Sequence, residues 1–576
     1  MASSTSPLRA AALLLLVLSS PLLLLPLTNA HPQTPSPAPR QHAPPSAKAR
    51  ETTGISAGLV STLRETLDAI RGVASIISSF PVGGGILGGG GDLRLSSAVA
   101  DCLDLLDLSS DELSWSMSTT TSSLSTPNTA GRLGTGDASS DLRSWLSGAL
   151  GNQDTCKEGL DQTGSLLASL VATGLDAVTS LLADGLGQVA AAAAITASSS
   201  SRRGLGAAAG EQGTAASAPR WLRGRERRML QMAVGPGGLA VDAVVAKDGS
   251  GNFTTVSAAV EAAPVESAAR YVIYVKRGVY KETVEVKKKK WNVMLVGDGM
   301  GVTVISGHRS YVDGYTTYRS ATVAVSGKGF IARDLTFENT AGAAKHQAVA
   351  LRCDSDLSVF YRCAFEGYQD TLYAHSLRQF YRDCRVTGTV DFVFGNAAAV
   401  FQNCLLLARL PLPTQKNSVT AQGRLDANMT TGFAFQFCNV SAHDELLLAA
   451  AGNNGTAAGN NGTAAGNNGT AAGVQTYLGR PWKEHSRVVF MQSYIGAVVR
   501  PEGWLAWDGE FALDTLYYGE YMNTGPGAGV GGRVKWPGFH VMTSATEAGN
   551  FTVAQFIEGN MWLPPTGVKY TAGLTS

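Results

Sequence analysis

Two patterns of hydrophobic and polar positions divide the chain. Between residues 56 and 186, Leu, Val and Ala recur with helical spacing in four segments, which Ser, Thr and Gly separate. Four such segments predict an all-α, antiparallel four-helix bundle, which Cys102 and Cys156 are placed to staple. From residue 243 onward, short β-branched and aromatic runs alternate with Gly, Asn and Asp, which predicts short strands joined by turns. The four helical segments are residues 59–77, 95–117, 141–160 and 165–186.

The strand-rich part contains a repeat. Cys363, Cys384 and Cys404 follow one another at intervals of 21 and 20 residues. Recurrence at this period is typical of a solenoid whose coils stack on each other. The sequence therefore predicts an all-β, right-handed parallel β-helix after the helical bundle.

Two acids and two amides keep nearly the same step. Asp370 and Asp391 are 21 residues apart, and Gln347 and Gln369 are 22 residues apart. In a parallel β-helix, residues one coil apart lie about 4.8 Å from each other. We therefore expect Asp370 beside Asp391, and Gln347 beside Gln369, on one face of the solenoid.

This face is a candidate active site. Two neighbouring carboxylates do not both ionise easily, so one is expected to be protonated while the other stays charged, as acid/base and nucleophilic chemistry require. Arg480, in LGRPW, is the best candidate for the cation that keeps one of them charged. The glutamine amides are candidate donors to an oxyanion. Aromatic residues that are candidates for stacking on sugar rings are Tyr373, Phe392, Trp482 and Trp504.

A purely structural interpretation of the same residues competes with this one. Asp is a common turn former, and stacked Gln or Asn side chains often form a ladder along a solenoid. For any single residue the structural interpretation is favoured. For two pairs in register, with aromatic residues nearby, the functional interpretation is favoured.

The beginning of the chain predicts export. Arg9 precedes an apolar run over residues 11–27, which ends in the small-residue sequence TNA. This is the pattern of a signal peptide, residues 1–30, and the protein is expected to be secreted. A membrane anchor is the alternative, and the Ser and Pro residues inside the run argue against it. No later run is expected to be long and apolar enough to span a bilayer.

Three further segments have biased composition. Residues 31–55 form a Pro- and Ala-rich leader, predicted to be disordered. Residues 187–230 are predicted to be a flexible linker, and its basic sequence RWLRGRERRML is a candidate cleavage site for a processing protease, or else a solvated charge run. Residues 451–472 repeat AGNNGTA three times and are expected in an exposed loop. Candidate N-glycosylation acceptors are Asn252, Asn428, Asn439, Asn454, Asn461, Asn468 and Asn550.

Composition excludes several classes of function. The formal net charge of the 576 residues is +1, which gives no general field for attracting nucleic acid. The chain has eight histidines and no CxxC sequence, so a metal site has little support, and we expect neither metal nor organic cofactor.

The strand-rich part contains five short blocks in this order: GVYKE (278–282), QAVAL (347–351), YQDTL (368–372), GTVDFVFG (388–395) and LGRPW (478–482). These blocks resemble the signature of plant pectin methylesterases. The resemblance runs from about Val241 to the C-terminus, so residues 231–576 would form the catalytic domain.

The preceding helical part, residues 56–186, contains DCLDLLDLSSDEL and DTCKEGL, through which it resembles the pectin methylesterase inhibitor fold. It lacks that family's first cysteine pair and carries a glycine-rich insertion over residues 83–91.

The resemblance implies a role for each candidate residue. Asp391 would attack the methyl-ester carbonyl of a galacturonate residue and form an acyl-enzyme. Asp370 would protonate the leaving methanol and later deprotonate the hydrolytic water. Gln347 and Gln369 would form the oxyanion hole, and Arg480 would orient Asp391. Substrate-binding residues would be Thr317, Gln347, Arg480 and Trp482.

The remaining cysteines allow more than one pairing. Cys363 and Cys384 would form a disulfide between adjacent coils if their side chains face each other. Cys404 with Cys438 is a second candidate, and Cys353 would then stay unpaired.

The predicted protein is thus a secreted cell-wall hydrolase, made as a proenzyme and monomeric when mature. It would remove methyl groups from homogalacturonan without a cofactor, and its inhibitor-like pro-domain would be an intramolecular partner. It would not bind nucleic acid, nor a membrane after signal removal. One alternative is a glycoside hydrolase or lyase on the same solenoid, since paired acids also serve glycosidic cleavage. Another is a non-catalytic pectin-binding or inhibitor protein.

Overall fold

The computed structural model describes residues 57–80, 92–121, 134–201, 240–453 and 473–575. All of them fall within one compact unit, Gly54–Ser576. The predicted signal peptide, the leader, the basic cleavage sequence and most of the AGNNGTA repeat lie outside the described residues.

The N-terminal region is helical, as predicted. Its described part contains four long helices: α1 (Ala57–Ser79), α2 (Leu93–Thr121), α3 (Ala138–Asp161) and α4 (Leu166–Ser201). Asp137 caps α3, since its side chain accepts a hydrogen bond from the backbone N–H of Ser140. The predicted disulfide between Cys102 and Cys156 is present and joins α2 to α3.

Two expectations about α4 are wrong. The helix continues to Ser201, past Leu186, where a flexible linker was expected to begin. The reason is the alanine run over residues 190–194, because alanine has the highest helix propensity. By length and composition, Leu166–Ile195 also qualifies as a membrane span. Its Leu167, Val171 and Leu175 are buried in the bundle core, which accounts for its apolar character.

The rest of the chain winds into a parallel β-helix, as predicted, with three sheets and parallel pairing throughout. The first sheet contains β1 (Ala243–Val245), β2 (Tyr271–Val275), β5 (Val293–Val296), β8 (Ile331–Arg333), β11 (Ser358–Tyr361), β14 (Arg378–Arg382), β17 (Ala398–Gln402), β20 (Gly432–Gln436), β23 (Arg487–Met491), β25 (Tyr517–Tyr521) and β26 (Phe539–Val541). The second contains β3 (Gly278–Lys281), β6 (Thr303–Gly307), β9 (Thr336–Asn339), β12 (Ala364–Glu366), β15 (Arg385–Gly388), β18 (Leu405–Ala408), β21 (Asn439–Ala442) and β24 (Tyr494–Ile495). The third contains β4 (Val284–Val286), β7 (Val323–Val325), β10 (Leu351–Cys353), β13 (Leu372–Ala374), β16 (Val393–Gly395), β19 (Asn417–Gln422) and β22 (Thr476–Pro481).

Short helices lie at the ends and in the loops of the solenoid. They are α5 (Val256–Glu261), α6 (Asp444–Asn453), α7 (Ala545–Gly549), α8 (Val553–Phe556) and α9 (Gly559–Trp562). α6 ends inside the first unit of the AGNNGTA repeat, so residues 451–453 are helical rather than loop.

Identical positions on successive coils build the solenoid core. Five aromatic rings stack from β11 to β23 because their strands pair in register. Their centroids are 4.4–4.8 Å apart, close to the coil spacing that parallel strand pairing sets. The rings belong to Phe360, Tyr381, Phe401, Phe435 and Phe490.

The predicted disulfide between Cys363 and Cys384 is not present. Both are free, buried thiols, as are Cys353, Cys404 and Cys438. Residues one coil apart are separated by about 4.8 Å, which lies within the Cα–Cα range of disulfides, so the coil spacing alone does not exclude the bond. The Cys384 Sγ atom instead contacts the backbone carbonyls of Phe360 and Arg382, each at 3.3 Å.

Phe401→Ala tests the aromatic stack. Phe401 is fully buried between Tyr381 and Phe435, so we expect a loss of about 3–5 kcal/mol in the free energy of unfolding of the solenoid. Phe401→Leu, which keeps most of the volume, is the matched control and should cost less than half as much. Denaturant unfolding of both variants, monitored by circular dichroism, measures the difference. Equal stability of the alanine variant and the wild type would contradict a packed aromatic stack.

Candidate active site

Two acids lie side by side where the chain enters the third sheet. Asp370 precedes β13 and Asp391 precedes β16, and these strands pair in register through Leu372 and Val393. The backbone N–H of Asp370 also donates to the carbonyl of Val390, on the next coil, at 3.0 Å. The structure therefore brings the two carboxylates together on neighbouring coils, as the spacing predicts.

Both aspartates have a left-handed backbone. The φ angle is 61° at Asp370 and 52° at Asp391. This conformation is uncommon for residues other than glycine, and it occurs often at functional sites, where the surrounding structure holds the strain. Here the parallel hydrogen bonds of the flanking strands supply that constraint.

Arg480 holds Asp391 by a two-point contact. Its Nε and Nη2 atoms donate to the two carboxylate oxygens at 2.8 and 2.6 Å. Arg480 lies in β22, two coils beyond β16, and its side chain reaches back along the outer face of the sheet. A bidentate, charge-assisted pair of this kind fixes both the charge and the orientation of a carboxylate.

Within the described residues, Asp370, unlike Asp391, has no cation paired with its carboxyl group. It is 7% exposed and forms no ion pair with any residue that the structure describes. Burial and the neighbouring charge of Asp391 raise the pKa of Asp370 well above its usual value, and Glu158 on α3 adds to this, while Arg480 opposes it. The site therefore combines a buried carboxyl group whose pKa is raised with a carboxylate paired to a cation.

The two glutamines lie on the same edge of the solenoid. The turns that carry Thr317, Gln347, Gln369 and Asp391 precede four successive strands of the third sheet. The backbone N–H of Ala348 donates to the carbonyl of Gln369 at 3.2 Å, which joins the two glutamine turns. The Oε1 atoms of Gln347 and Gln369 are buried and accept no hydrogen bond from the described residues.

The aromatic candidates divide into two groups. Phe392 and Trp504 are buried in the solenoid core, so the expectation that they stack on a sugar is wrong. Trp482 lies outside the solenoid, half-buried, with its ring 6.0 Å from Phe394 and 6.5 Å from Tyr373. Phe392, Trp482 and Trp504 all lie outside the named strands, so strand alternation gives no basis for predicting which ring faces the core.

The sequence analysis missed Trp507. Its ring lies 4.3 Å from the Arg480 guanidinium carbon, on a side chain that remains 37% exposed. This cation–π contact supports the arginine that holds Asp391. The WLAWDGE sequence contains two tryptophans, and only the three-dimensional structure shows that Trp504 is core and Trp507 is at the site.

The sequence analysis also missed how closely α3 covers the site. Lys483 forms ion pairs with Asp154 at 2.8 Å and Glu158 at 3.6 Å. The Thr155 hydroxyl lies 2.9 Å from Nε2 of His375, whose Nδ1 faces Asp354 at 2.9 Å. Trp482, Tyr373 and other residues of the third sheet pack with the apolar core of the bundle. The helix therefore occupies the surface immediately beside the two aspartates.

The side chains at the site are of complementary kinds. A carboxylate paired with an arginine, a second carboxyl group whose pKa is raised, and two amides together suit nucleophilic attack on a carbonyl followed by proton transfer. In the described part of the chain, no group of three or more His, Cys, Asp or Glu residues is placed to hold a metal ion.

Comparison with known proteins matches both halves of the chain. The Pectinesterase family model matches residues 242–560, and the family model of the plant invertase/pectin methylesterase inhibitor matches residues 36–207. A Prunus persica protein described as pectinesterase/pectinesterase inhibitor PPE8B is 55% identical over 511 residues, 89% of this chain and 88% of that protein. An Arabidopsis thaliana protein described as probable pectinesterase/pectinesterase inhibitor 32 is 51% identical over 519 residues, 89% and 90% of the two chains.

A solved structure agrees with the solenoid part. The structure described as pectin methylesterase from carrot aligns with a TM-score of 0.54 at 54% identity. The alignment covers 58% of this chain and 98% of the carrot chain.

Asp370→Asn tests the electrostatic asymmetry. A pKa raised above 3.8 means that the folded state binds the Asp370 proton more tightly than the unfolded chain does. The bound proton stabilises the folded state at pH values below the pKa of Asp370 in the unfolded chain, and this stabilisation is lost as the pH rises through the raised pKa of the folded state. We therefore expect the asparagine variant to be more stable than the wild type at neutral pH. Below the pKa of the unfolded chain, the variant should be no more stable than the wild type. Denaturant unfolding across the acidic and neutral range measures this.

Asp313→Asn is the control of opposite sign. The hydrogen bonds of Lys345 and Ser310 lower the pKa of Asp313, so the charged form is favoured in the folded state. That substitution should reduce stability at neutral pH, or leave it unchanged at this exposed position. An Asp370→Asn variant that loses stability at neutral pH would contradict the raised pKa.

Proposed function

Because the chain belongs to the pectinesterase family, we propose that it hydrolyses the methyl esters of homogalacturonan in the cell wall and releases methanol. The N-terminal helices belong to the family of pectin methylesterase inhibitors, so one chain contains an enzyme part and an inhibitor-like part. The observation that supports the proposal most is the pair of neighbouring aspartates, one held by Arg480 and the other without a cation.

Asp391 is the proposed nucleophile. One of its oxygens attacks the carbonyl carbon of the ester, and the carbonyl π electrons move to the oxygen to give a tetrahedral oxyanion. Arg480 keeps the carboxylate charged and fixes the direction of its lone pairs through the two hydrogen bonds. The amides of Gln347 and Gln369, on the two preceding coils, are the proposed donors to the oxyanion.

Asp370 is the proposed acid and base. The oxyanion collapses, the bond to the methoxy oxygen breaks, and the Asp370 proton passes to that oxygen, so that methanol leaves and an acyl-enzyme anhydride remains. Asp370, now charged, removes a proton from water, and the resulting hydroxide attacks the acyl carbon of the galacturonate. The bond between that carbon and the Asp391 oxygen breaks, which frees the Asp391 carboxylate and a galacturonic acid group, whose proton passes to solvent. The raised pKa of Asp370 favours its protonated form at the start of each cycle.

The polymer is proposed to lie along the outer face of the third sheet. Trp482 offers an aromatic face to a sugar ring, and Thr317 lies in the first of the four turns that lead to Asp391. Both residues are also close to the bundle, since Trp482 and Tyr318 pack with its core. Substrate and bundle would therefore compete for one surface.

The bundle is accordingly proposed to act as an intramolecular inhibitor. Its α3 covers the aspartates, which are 7% and 5% exposed, and fixes Lys483, the residue after Trp482. We propose that the proenzyme is secreted, that a protease cuts the basic sequence near Arg227 and Arg228, and that the mature monomer acts in the wall. The missing first cysteine pair does not remove these contacts, because they come from α2 and α3, which Cys102 and Cys156 join.

Asp391→Asn tests the nucleophile. We expect methanol release to fall by at least about 10³-fold, since loss of a nucleophile removes the covalent route. Asp383→Asn is the matched control, because Asp383 also sits in a left-handed turn of the solenoid, with an ion pair to Arg382. Methanol release from highly methylated pectin and polymer length are measured together. Shortening of the polymer would favour a glycoside hydrolase or lyase, and full activity of Asp391→Asn would exclude the proposed mechanism.

A second test concerns inhibition by the bundle. The double substitution Asp154→Asn and Glu158→Gln removes both partners of Lys483 and should raise methanol release by the uncut chain roughly tenfold. Each partly exposed ion pair contributes about 0.5–1 kcal/mol, and about 1.4 kcal/mol corresponds to tenfold. Asp161→Asn, at an exposed position of the same helix, should change nothing. The interpretation fails if the uncut double variant and the uncut wild type are equally active while cutting the linker activates neither.

A further inference from the structure

The ion pairs between the bundle and the solenoid all have the same polarity. In every such pair that the described residues form, the carboxylate belongs to the bundle and the cation to the solenoid. Seven carboxylates of the bundle face four cations: Lys288, Arg319, Arg378 and Lys483. An interface selected only for packing would have pairs of both polarities, so this surface of the solenoid is suited to an anionic occupant.

The most regular part of this interface is made by α2. Asp101 and Asp104 pair with Arg319 at 2.6 and 2.7 Å, and Asp107 and Asp111 pair with Lys288, each at 2.7 Å. These four acids recur every three or four residues and therefore share one face of the helix. The two pairs are about 10 Å apart along the helix axis at 1.5 Å per residue. The helix presents a row of carboxylates at regular intervals.

A tryptophan of the solenoid lies next to Lys288 and Lys328. Trp291 donates its indole N–H to the carbonyl of Lys288 at 2.9 Å, and its ring centroid lies 5.9 Å from Nζ of Lys328. The ring centroid of Trp115, on α2, lies 5.5 Å from the same ammonium group. A tryptophan face beside an ammonium group suits a sugar acid, because the ring contacts the apolar face of the sugar while the cation pairs with its carboxylate.

This surface is separate from the catalytic pair. Arg319 precedes β7, whereas Asp391 precedes β16, three coils further on, which corresponds to about 14 Å along the solenoid at about 4.8 Å per coil. Lys288 and Trp291 lie one coil further away still, between β4 and β5. The contacts of α2 cover this surface, whereas those of α3 cover the aspartates.

We propose that Lys288, Trp291, Arg319 and Lys328 form a binding track for de-esterified, polyanionic stretches of galacturonan, and that the acids of α2 occupy this track in the proenzyme. The inference rests on the proposed function. The methylated substrate is neutral and gains nothing from the cations, whereas each hydrolysed ester adds one carboxylate. A track of this kind keeps the enzyme next to stretches that it has already hydrolysed, so that new carboxylates arise in blocks.

The test uses the full chain, folded and then cut in the linker between residues 202 and 239, so that both parts remain in one solution. Comigration of the solenoid with polygalacturonate is measured by affinity electrophoresis, with fully methylated pectin and polyglutamate as comparison polymers. We expect the wild type to bind polygalacturonate and to release the bundle as it does so. The double substitution Lys288→Gln and Arg319→Gln should weaken that binding at least tenfold.

This substitution separates two explanations by the sign of its effect. If the cations only hold the bundle, their loss weakens the hold on the bundle, which competes with the polymer. Binding of polygalacturonate then increases or stays the same, and this result would overturn the proposal. If the cations hold the polymer, binding decreases. Lys288→Gln alone is the second variant, with a smaller expected loss, and melting temperatures verify that both variants fold. Lys289→Gln, an exposed lysine of the same loop, is the matched control and should bind like the wild type.

The remaining outcomes are also decisive. Failure of the wild type to bind polygalacturonate would overturn the proposal, and equally tight binding of polyglutamate would overturn the assignment of a uronate. Methanol release from methylated pectin, measured in the same samples, reports on the proposed function separately. Methanol release without binding of polygalacturonate would exclude the track and support the proposed esterase function. Binding of polygalacturonate without methanol release would support the track and contradict the proposed esterase function.

Discussion

Hydrogen bonding between successive coils is the constraint on which the rest of this structure depends. Parallel pairing in three sheets fixes the rise per coil at about 4.8 Å, so any side chain that recurs once per coil lies next to its counterpart. The aromatic stack from Phe360 to Phe490 uses this spacing favourably, since it is close to the contact distance of two rings. The cysteines at 363, 384, 404 and 438 also recur once per coil, and all four are buried free thiols.

At the active site the same constraint forces two carboxylates together. Without a constraint, two neighbouring carboxylates would bind a proton or move apart because their negative charges repel each other. The neighbouring strands prevent separation, and the left-handed turns at Asp370 and Asp391 show that the backbone is held there against its preference. The asymmetry comes from one side chain, Arg480, which reaches Asp391 but leaves Asp370 without an ion pair. Two chemically equal acids thereby acquire different electrostatic environments, a difference on which the proposed mechanism depends.

The features that were predictable from the sequence are those that repeat with a period. The step of 21 residues placed Asp370 beside Asp391, and the helical spacing located α1 to α4, because both periods follow directly from backbone geometry. Features that depend on side-chain direction were not predictable. Phe392 is adjacent to Asp391 in the sequence, yet it points into the core, while Trp507 lies far from Asp391 in the sequence and contacts its arginine. The end of α4 was also missed, since residues 187–201 have the composition of a linker and the propensity of a helix.

The relation between the two halves of the chain follows from charge as much as from packing. A bundle that covered the aspartates only with apolar side chains would leave Lys288, Arg319 and Lys483 without ion-pair partners among the described residues, whereas Arg378 would keep Asp356 of the solenoid. Removing a cation from water without a partner costs free energy. The facing carboxylates offset that cost, so the stability of the covered state depends on an anionic surface on α2 and α3. When the bundle leaves, Lys288, Arg319 and Lys483 become open to solvent, and the proposed track offers them to an ordered row of carboxylates. A reaction whose product is a polyanion generates such a row at the active site. On this argument the proposed proenzyme and the proposed product-bound state use the same cations of the solenoid surface.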